Sequence, residues 1–165
     1  MKNRFLLLAT MISMVLVFAP AVFAQAGAAK SGPDETLLRD PEMEKDARHN
    51  LEVAKNYFKL KKAYVAALKR LEEIIEGNPT FSKIEEVYLM AGQSSLWLAE
   101  SKGKQSPDQY YTFDGENKRS LTPDEFRAKG RDYLSRLVNY YPNGPYTKQA
   151  AEELRPLGGP YPKSN

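Results

Sequence analysis

The sequence predicts an all-α fold. Apolar residues recur at steps of three and four along most of residues 41–154, which is the spacing of one face of an α-helix. Proline and glycine clusters interrupt this spacing about once per helix length, as expected at helix ends. No segment shows the apolar–polar alternation of a half-buried strand. Together these observations predict short antiparallel helices around one core.

Ahead of the helical region, the sequence predicts a secretory signal peptide. Lys2 and Arg4 precede an apolar run from Phe5 to Ala19, and Val22-Phe23-Ala24 has the small residues of a cleavage site. The run is shorter than the roughly 17–25 residues of a membrane-spanning helix. We therefore expect cleavage after residue 24, a flexible linker over 25–39 and delivery to the bacterial periplasm, with full secretion left open.

The composition limits the classes of function. The sequence contains no cysteine, so we expect neither disulfides nor a lipid on an N-terminal cysteine. Two of the positive charges lie in the signal peptide and the formal net charge is only +3. A nearly neutral mature chain does not indicate nucleic-acid binding, and we expect membrane association only through protein partners.

Two helices are predicted in the first half of the chain. Asp40-Pro41 has the pattern of an N-cap followed by proline at the first helical position. The apolar stripe that follows consists of Met43, Ala47, Leu51, Ala54 and Phe58. Lys61-Lys62 marks a tight turn, after which the second stripe consists of Tyr64, Ala67, Leu68, Leu71 and Ile74. Gly77-Asn78-Pro79 ends this helix.

A third helix is predicted to lie at the centre of the fold. Ser82 and Glu85 have the spacing of a capping box. Apolar residues then follow on most faces of the helix, from Ile84 to Leu98, which is typical of a buried helix. Beyond it, residues 102–121 lose the periodicity and are predicted to form a long loop, with a turn at Asp114-Gly115.

The last part of the chain is predicted to form two more helices and a tail. Thr122, Pro123 and Glu125 have the pattern of a second capping box with proline at the first helical position. Its stripe consists of Phe126, Gly130, Tyr133, Leu134, Leu137 and Tyr141. A short helix over 146–154 places Ala150, Ala151 and Leu154 inward, and residues 158–165 form an irregular tail.

The helix pairs resemble tetratricopeptide repeats, which implies a short right-handed solenoid over residues 40–157. The first pair places Leu51, Ala54-Lys55, Phe58, Ala67, Leu71, Ile74 and Pro79 at the family's positions. The second pair does so with Tyr88, Ala91-Gly92, Ser95, Gly130, Leu134, Leu137 and Pro142. Small residues such as Ala67, Gly92 and Gly130 let neighbouring helices approach closely.

Within that family, the chain is similar to BamD-type outer-membrane protein assembly factors. The similarity is carried by Ala54-x-x-Tyr57-Phe58, Lys62-Ala63-Tyr64-x-Ala66-Ala67-x-x-Arg70-Leu71, Tyr141-Pro142-x-Gly144 and Ala150-Ala151-x-x-Leu154. It covers roughly residues 41–154 and implies a role in assembling outer-membrane proteins. BamD-type proteins are usually lipid-anchored through a cysteine, which this sequence does not contain.

No pattern in the sequence indicates catalysis, and we expect neither a cofactor nor a metal. The only histidine, His49, lies off the apolar stripe of the first helix and is interpreted as a solvated side chain. Residues 92–96 begin like a nucleophile elbow, but Leu96 stands where glycine is needed. Around Asp114-Gly115, Tyr110 and Thr112 occupy positions that need acidic ligands in a calcium-binding loop, and Leu121 replaces its closing glutamate.

Binding is therefore the predicted activity. Tyr110, Tyr111 and Phe113 are aromatic residues in a long polar loop, and such loops are often functional, so we predict that they anchor a protein partner. Covering the core is the alternative. Lys61 and Lys62 belong to a basic cluster. This cluster either docks an acidic partner or lipid headgroups, or it is simply a solvated face, and we favour the solvated face.

The sequence thus favours a non-enzymatic periplasmic scaffold, similar to BamD, that binds envelope proteins such as the outer-membrane β-barrel assembly machinery. A general periplasmic adaptor for cell-wall or secretion machinery is the second interpretation. A third is a small-ligand-binding protein or enzyme in which the 102–121 loop forms a lid over Trp97 and the loop aromatics.

Overall fold

Five α-helices form the framework of residues 39–163, which is the part of the chain that the computed structural model describes. The helices are α1 (Pro41–Lys55), α2 (Tyr64–Gly77), α3 (Ile84–Ala99), α4 (Pro123–Tyr140) and α5 (Thr147–Leu154). A π-helical turn, Asn56–Lys61, continues α1, and two strands, β1 (Tyr111–Asp114) and β2 (Asn117–Ser120), lie between α3 and α4. The predicted mainly helical-repeat fold is confirmed. The predicted signal peptide and almost all of the linker lie outside the described residues.

The helices pack chiefly on their neighbours in sequence. The main contacts join α1 to α2, α2 to α3, α3 to α4 and α4 to α5, which is the nearest-neighbour pattern of repeat proteins. The central burial predicted for α3 is confirmed, because Val87, Leu89 and Met90 are all buried although they lie on different faces of the helix. In α5, Ala150 is buried, but Ala151 is exposed and does not face inward as predicted.

Two of the three predicted helix caps are present. The Asp40 carboxylate accepts a hydrogen bond from the Glu42 amide at 2.8 Å, ahead of Pro41. At the start of α4, the Thr122 hydroxyl accepts from the Glu125 amide and the Glu125 carboxylate accepts from the Thr122 amide. Both caps satisfy backbone donors that a helix start leaves unpaired.

The capping box predicted at Ser82 and Glu85 is wrong. Helix α3 begins after Lys83 and has no side-chain cap. Ser82 instead donates to Glu44 of α1, from its amide at 3.2 Å and also from its hydroxyl. Since a carboxylate accepts hydrogen bonds more strongly than a neutral partner, this contact across the fold replaces the local cap and ties α1 to the start of α3.

Helices α3 and α4 approach most closely at two glycines. A Cβ atom added to Gly92 would lie 2.6 Å from Cγ of Leu134, and one added to Gly130 would lie 2.8 Å from Cδ2 of Leu96. Each glycine thus receives a leucine from the opposite helix, which is tight interdigitation of helix surfaces. The predicted role of Gly92 and Gly130 as close-approach residues is confirmed.

The structure shows no membrane-spanning element within residues 39–163, because none of the helices there is both long and apolar enough.

Replacing Gly92 with Ala should lower the free energy of unfolding by about 1–3 kcal/mol, the usual cost of overpacking a filled core. Leu134 is fully buried, so it has little room to yield. The matched control is Gly77→Ala at the exposed end of α2, where an added Cβ meets nothing within 4 Å. This control should be neutral or slightly stabilising. Urea unfolding of both variants measures the difference, and equal stabilities would contradict the prediction.

Candidate functional site

The segment between α3 and α4 contains a β-hairpin. Strands β1 and β2 pair antiparallel, with Tyr111 opposite Ser120 and Phe113 opposite Lys118. The predicted turn at Asp114-Gly115 is confirmed, and Gly115 has a φ of 61°, which suits the first position of a two-residue hairpin turn. The prediction that residues 102–121 contain no strand is wrong. Asp114-Gly115 predicted a turn but was not recognised as the turn of a hairpin.

Tyr110 anchors the hairpin to the helices. It is only 8% exposed and its ring packs edge-on against Phe126 of α4, with the ring centroids 5.5 Å apart. Its hydroxyl donates to the two carboxylate oxygens of Glu72, at 2.8 and 2.9 Å. Tyr110 therefore covers the core, the alternative considered for the loop aromatics, and does not present its ring at the surface.

Glu72 of α2 contacts three donor side chains, one from the inserted segment and two from α4. Besides Tyr110, it accepts from the Tyr133 hydroxyl at 2.8 Å and pairs with the Lys129 ammonium at 2.8 Å. Burial raises the pKa of both tyrosines well above their ordinary value, and the Glu72 carboxylate raises it further. One carboxylate thus joins α2, α4 and the base of the hairpin.

Further polar contacts fix the two ends of the inserted segment. The Lys104 amide donates to the Lys62 carbonyl at 2.9 Å, and the Gln105 side chain accepts from the Ala66 amide at 3.0 Å. At the other end, Arg119 forms a two-bond ion pair with Glu125 at 2.6 and 2.9 Å, and this hydrogen bonding lowers the pKa of Glu125 to about 2. The hairpin is therefore held at both ends, unlike a hinged lid.

One face of the hairpin presents aromatic rings together with cations. Phe113 is 63% exposed and Tyr111 39% exposed, with their rings perpendicular and 5.9 Å apart. The ammonium groups of Lys118 and Lys69 lie 3.8 and 4.6 Å from the Tyr111 ring centroid, within the range of cation–π attraction. These four residues (Lys69, Tyr111, Phe113, Lys118) are called the hairpin surface below.

The structure separates the other predicted site residues from this surface. Lys61 lies over the Tyr57 ring at 4.9 Å, in the π-helical turn. Lys62 meets the inserted segment through its backbone carbonyl. Lys118 was not singled out by its sequence, because only the strand register places it opposite Phe113.

Trp97 does not combine with the loop aromatics. It packs against Phe58 and Tyr64, with ring centroids 4.7 Å apart in both cases. The predicted pocket of Trp97 and the loop aromatics is therefore wrong, because Tyr110 packs on α4 and the other two rings are exposed.

His49 is exposed, as predicted. Within residues 39–163 no group of three or more histidine, cysteine, aspartate or glutamate side chains is placed to hold a metal ion. What the hairpin surface can do chemically is bind, because exposed aromatic rings exclude water from a contact and the flanking cations attract acidic groups.

Comparison with known proteins gives a family match. The family model YfiO, described as an outer membrane lipoprotein, matches residues 41–158, which is most of the chain and includes all five helices. Searches of curated proteins and of solved structures gave no significant match.

Replacing Glu72 with Ala should lower the free energy of unfolding by about 2–4 kcal/mol, because two buried hydroxyls lose their acceptor and each such loss costs about 1–3 kcal/mol. The adjacent Glu73→Ala is the matched control. Within residues 39–163, Glu73 forms an ion pair with the exposed Arg70. Exposed ion pairs of this kind contribute about 0–1 kcal/mol to stability. Denaturant unfolding compares the two, and a similar loss in both would contradict the role of Glu72.

The raised pKa values of Tyr110 and Tyr133 predict a loss of stability in alkali. An unfolded tyrosine loses its proton near pH 10, whereas the folded residue keeps it to higher pH. The stability that the two protonated tyrosines contribute is therefore fully present below about pH 10 and is lost as the pH rises further.

Above about pH 10, Tyr133→Phe should make the fall in the free energy of unfolding less steep by about 1.4 kcal/mol per pH unit, which is the slope that one titrating proton produces. Urea unfolding between pH 8 and 11.5 measures the slope. Tyr140, which is exposed, provides the matched control, since Tyr140→Phe should leave the decline as in the parent protein. The same slope in Tyr133→Phe as in the parent would refute this assignment.

Proposed function

The chain belongs to the YfiO family of outer-membrane lipoproteins, and from this membership we propose that it is a non-enzymatic periplasmic scaffold for outer-membrane protein assembly. The hairpin surface is the proposed contact for a protein partner, with the outer-membrane β-barrel assembly machinery as that partner. The family match supports the cellular setting, and the strongly exposed Phe113 on an anchored hairpin supports the contact.

The hairpin surface has the chemical character of a protein-binding site. Phe113 keeps most of its ring in water, and burying an aromatic ring of this kind stabilises a complex by about 1.5–3 kcal/mol. Because Tyr110, Glu72 and Arg119 fix the base of the hairpin, little conformational entropy is lost when a partner binds. The surface is thus preorganised for binding.

The charges of this surface favour an acidic partner. Lys69 and Lys118 lie beside Tyr111, and we include Lys61 and Lys62 as a second pair of exposed cations, apart from this surface and just before α2. Complementary charge raises the rate of encounter and improves specificity more than it raises affinity. The sequence contains no cysteine, so in this proposal contacts with proteins hold the chain at the membrane.

In-cell crosslinking tests the proposal. A photoreactive residue in place of Phe113, in the otherwise complete chain, should crosslink to the central subunit of the barrel-assembly machinery. Tyr111→Ser with Phe113→Ser should lower its co-purification at least tenfold. Leu60→Ser is the matched control, because Leu60 is also apolar and 76% exposed but lies on the π-helical turn; it should leave recovery unchanged.

Two other results would contradict the proposal in different ways. Recovery of cell-wall or secretion proteins alone would replace barrel assembly with the general adaptor function. Unchanged recovery with the double variant, whose folding circular dichroism checks, would exclude the hairpin surface as the contact.

A further inference from the structure

The C-terminal segment lies along α4 and is held there through its backbone. Arg131 donates to the Gly159 carbonyl at 2.7 Å and to the Gly158 carbonyl at 3.2 Å. The Tyr161 amide donates to the Ser135 hydroxyl at 2.8 Å, and Asn139 donates to the Tyr161 carbonyl at 2.9 Å. We refer to Arg131, Ser135 and Asn139 as the α4 ladder.

The spacing of the α4 ladder explains its geometry. Its residues are four apart, so they form one row along the helix. The Ser135 hydroxyl donates to the Arg131 carbonyl at 2.6 Å, which leaves its oxygen free to accept from the segment. The row thus supplies donors at both ends and an acceptor between them. Arg131 holds the carbonyls of two glycines with positive φ, and Ser135 and Asn139 hold the amide and carbonyl of Tyr161.

The bound segment has the features that this row can accept. Pro160 and Pro162 flank Tyr161, have no backbone amide and favour an extended, polyproline-like chain. The Tyr161 amide donates to the α4 ladder. Pro160 and Pro162 have no backbone N–H that would need an acceptor. The Tyr161 ring lies under the Arg131 guanidinium, 4.1 Å from ring centroid to guanidinium carbon.

The segment buries little of its surface against α4. Tyr161 is 36% exposed, and both prolines and Lys163 are exposed too. A segment with so little buried surface opens easily. A cavity of about 300 Å³ lies where the segment meets α4, lined by Tyr161 and Lys163 of the segment and by Tyr88, Asp132 and Tyr140, so the segment does not fill the space beside the α4 ladder.

We propose that the α4 ladder is a second binding site, which takes an extended Pro-aromatic-Pro segment of a partner protein, and that residues 158–163 occupy it as an internal competitor. Because the segment is tethered, its effective concentration is in the millimolar range. Only a partner that binds more tightly, or through a second contact, displaces it. The site is separate from the hairpin surface and does not depend on the proposed function.

Fluorescence polarisation with a labelled peptide of residues 158–163, Gly-Gly-Pro-Tyr-Pro-Lys, tests the proposal on the full chain. The Tyr161→Ala protein, whose own segment is weakened, should bind the peptide at least ten times more tightly than the parent protein does. Adding Asn139→Ala should weaken binding about tenfold. A peptide with alanine in place of tyrosine should bind at least tenfold more weakly.

Arg127→Ala provides the matched control in the Tyr161→Ala background. Arg127 lies on the first turns of α4 and pairs with Asp124, so peptide binding should not change. Because Tyr161 lies outside every helix, its substitution should leave the helical circular dichroism signal intact. Equal binding by the parent and Tyr161→Ala proteins, or no binding by either up to 1 mM peptide, would overturn the proposal.

No variant in this test alters the hairpin surface. A negative result here leaves the barrel-assembly proposal standing, and loss of the crosslink at Phe113 leaves the α4 ladder standing.

Discussion

The close approach of α3 and α4 is the constraint on which the rest of the structure depends. Gly92 and Gly130 remove the two Cβ atoms that would keep the helices apart, and Leu134 and Leu96 fill the space. Docked in this way, α4 presents different faces to different neighbours. One face completes the core, Lys129 and Tyr133 reach Glu72, and the α4 ladder faces the C-terminal segment. A shift of α4 would disturb all three contacts together.

Glu72 links the packed helices to the base of the hairpin that carries the hairpin surface. A carboxylate can accept several hydrogen bonds, and here one residue of α2 serves Tyr110 from the inserted segment and Tyr133 from α4. Desolvation of an acidic group is costly unless it is fully hydrogen-bonded, which three donors achieve. The result is a hairpin whose base is fixed while Phe113 stays in water. Rigid support below and an apolar ring above are the properties of a preorganised contact.

The two proposed binding sites use different chemistry on a single small scaffold. The hairpin surface offers aromatic rings and cations, so it suits a folded partner with an acidic, apolar patch. The α4 ladder offers donors and an acceptor to a backbone, so it suits an extended chain. A scaffold of the YfiO family with both could hold one protein while taking up a segment of another. Occupation of the ladder by residues 158–163 would then restrict this second event to segments that compete successfully.

The sequence by itself determined the helices, because the spacing of apolar residues, the caps at Asp40 and Thr122, and the glycines at helix crossings act locally or within one helix pair. The sequence also identified Tyr111 and Phe113 as aromatic residues in an otherwise polar segment. Tertiary structure decided the rest. Ser82 bonds Glu44 from another helix, Tyr110 is buried because Glu72 lies near it in space, and Lys118 reaches Tyr111 only through the strand register. The α4 ladder exists only because the chain returns along α4. Each of these contacts joins residues distant in sequence, and their energies depend on burial and geometry that no local pattern encodes.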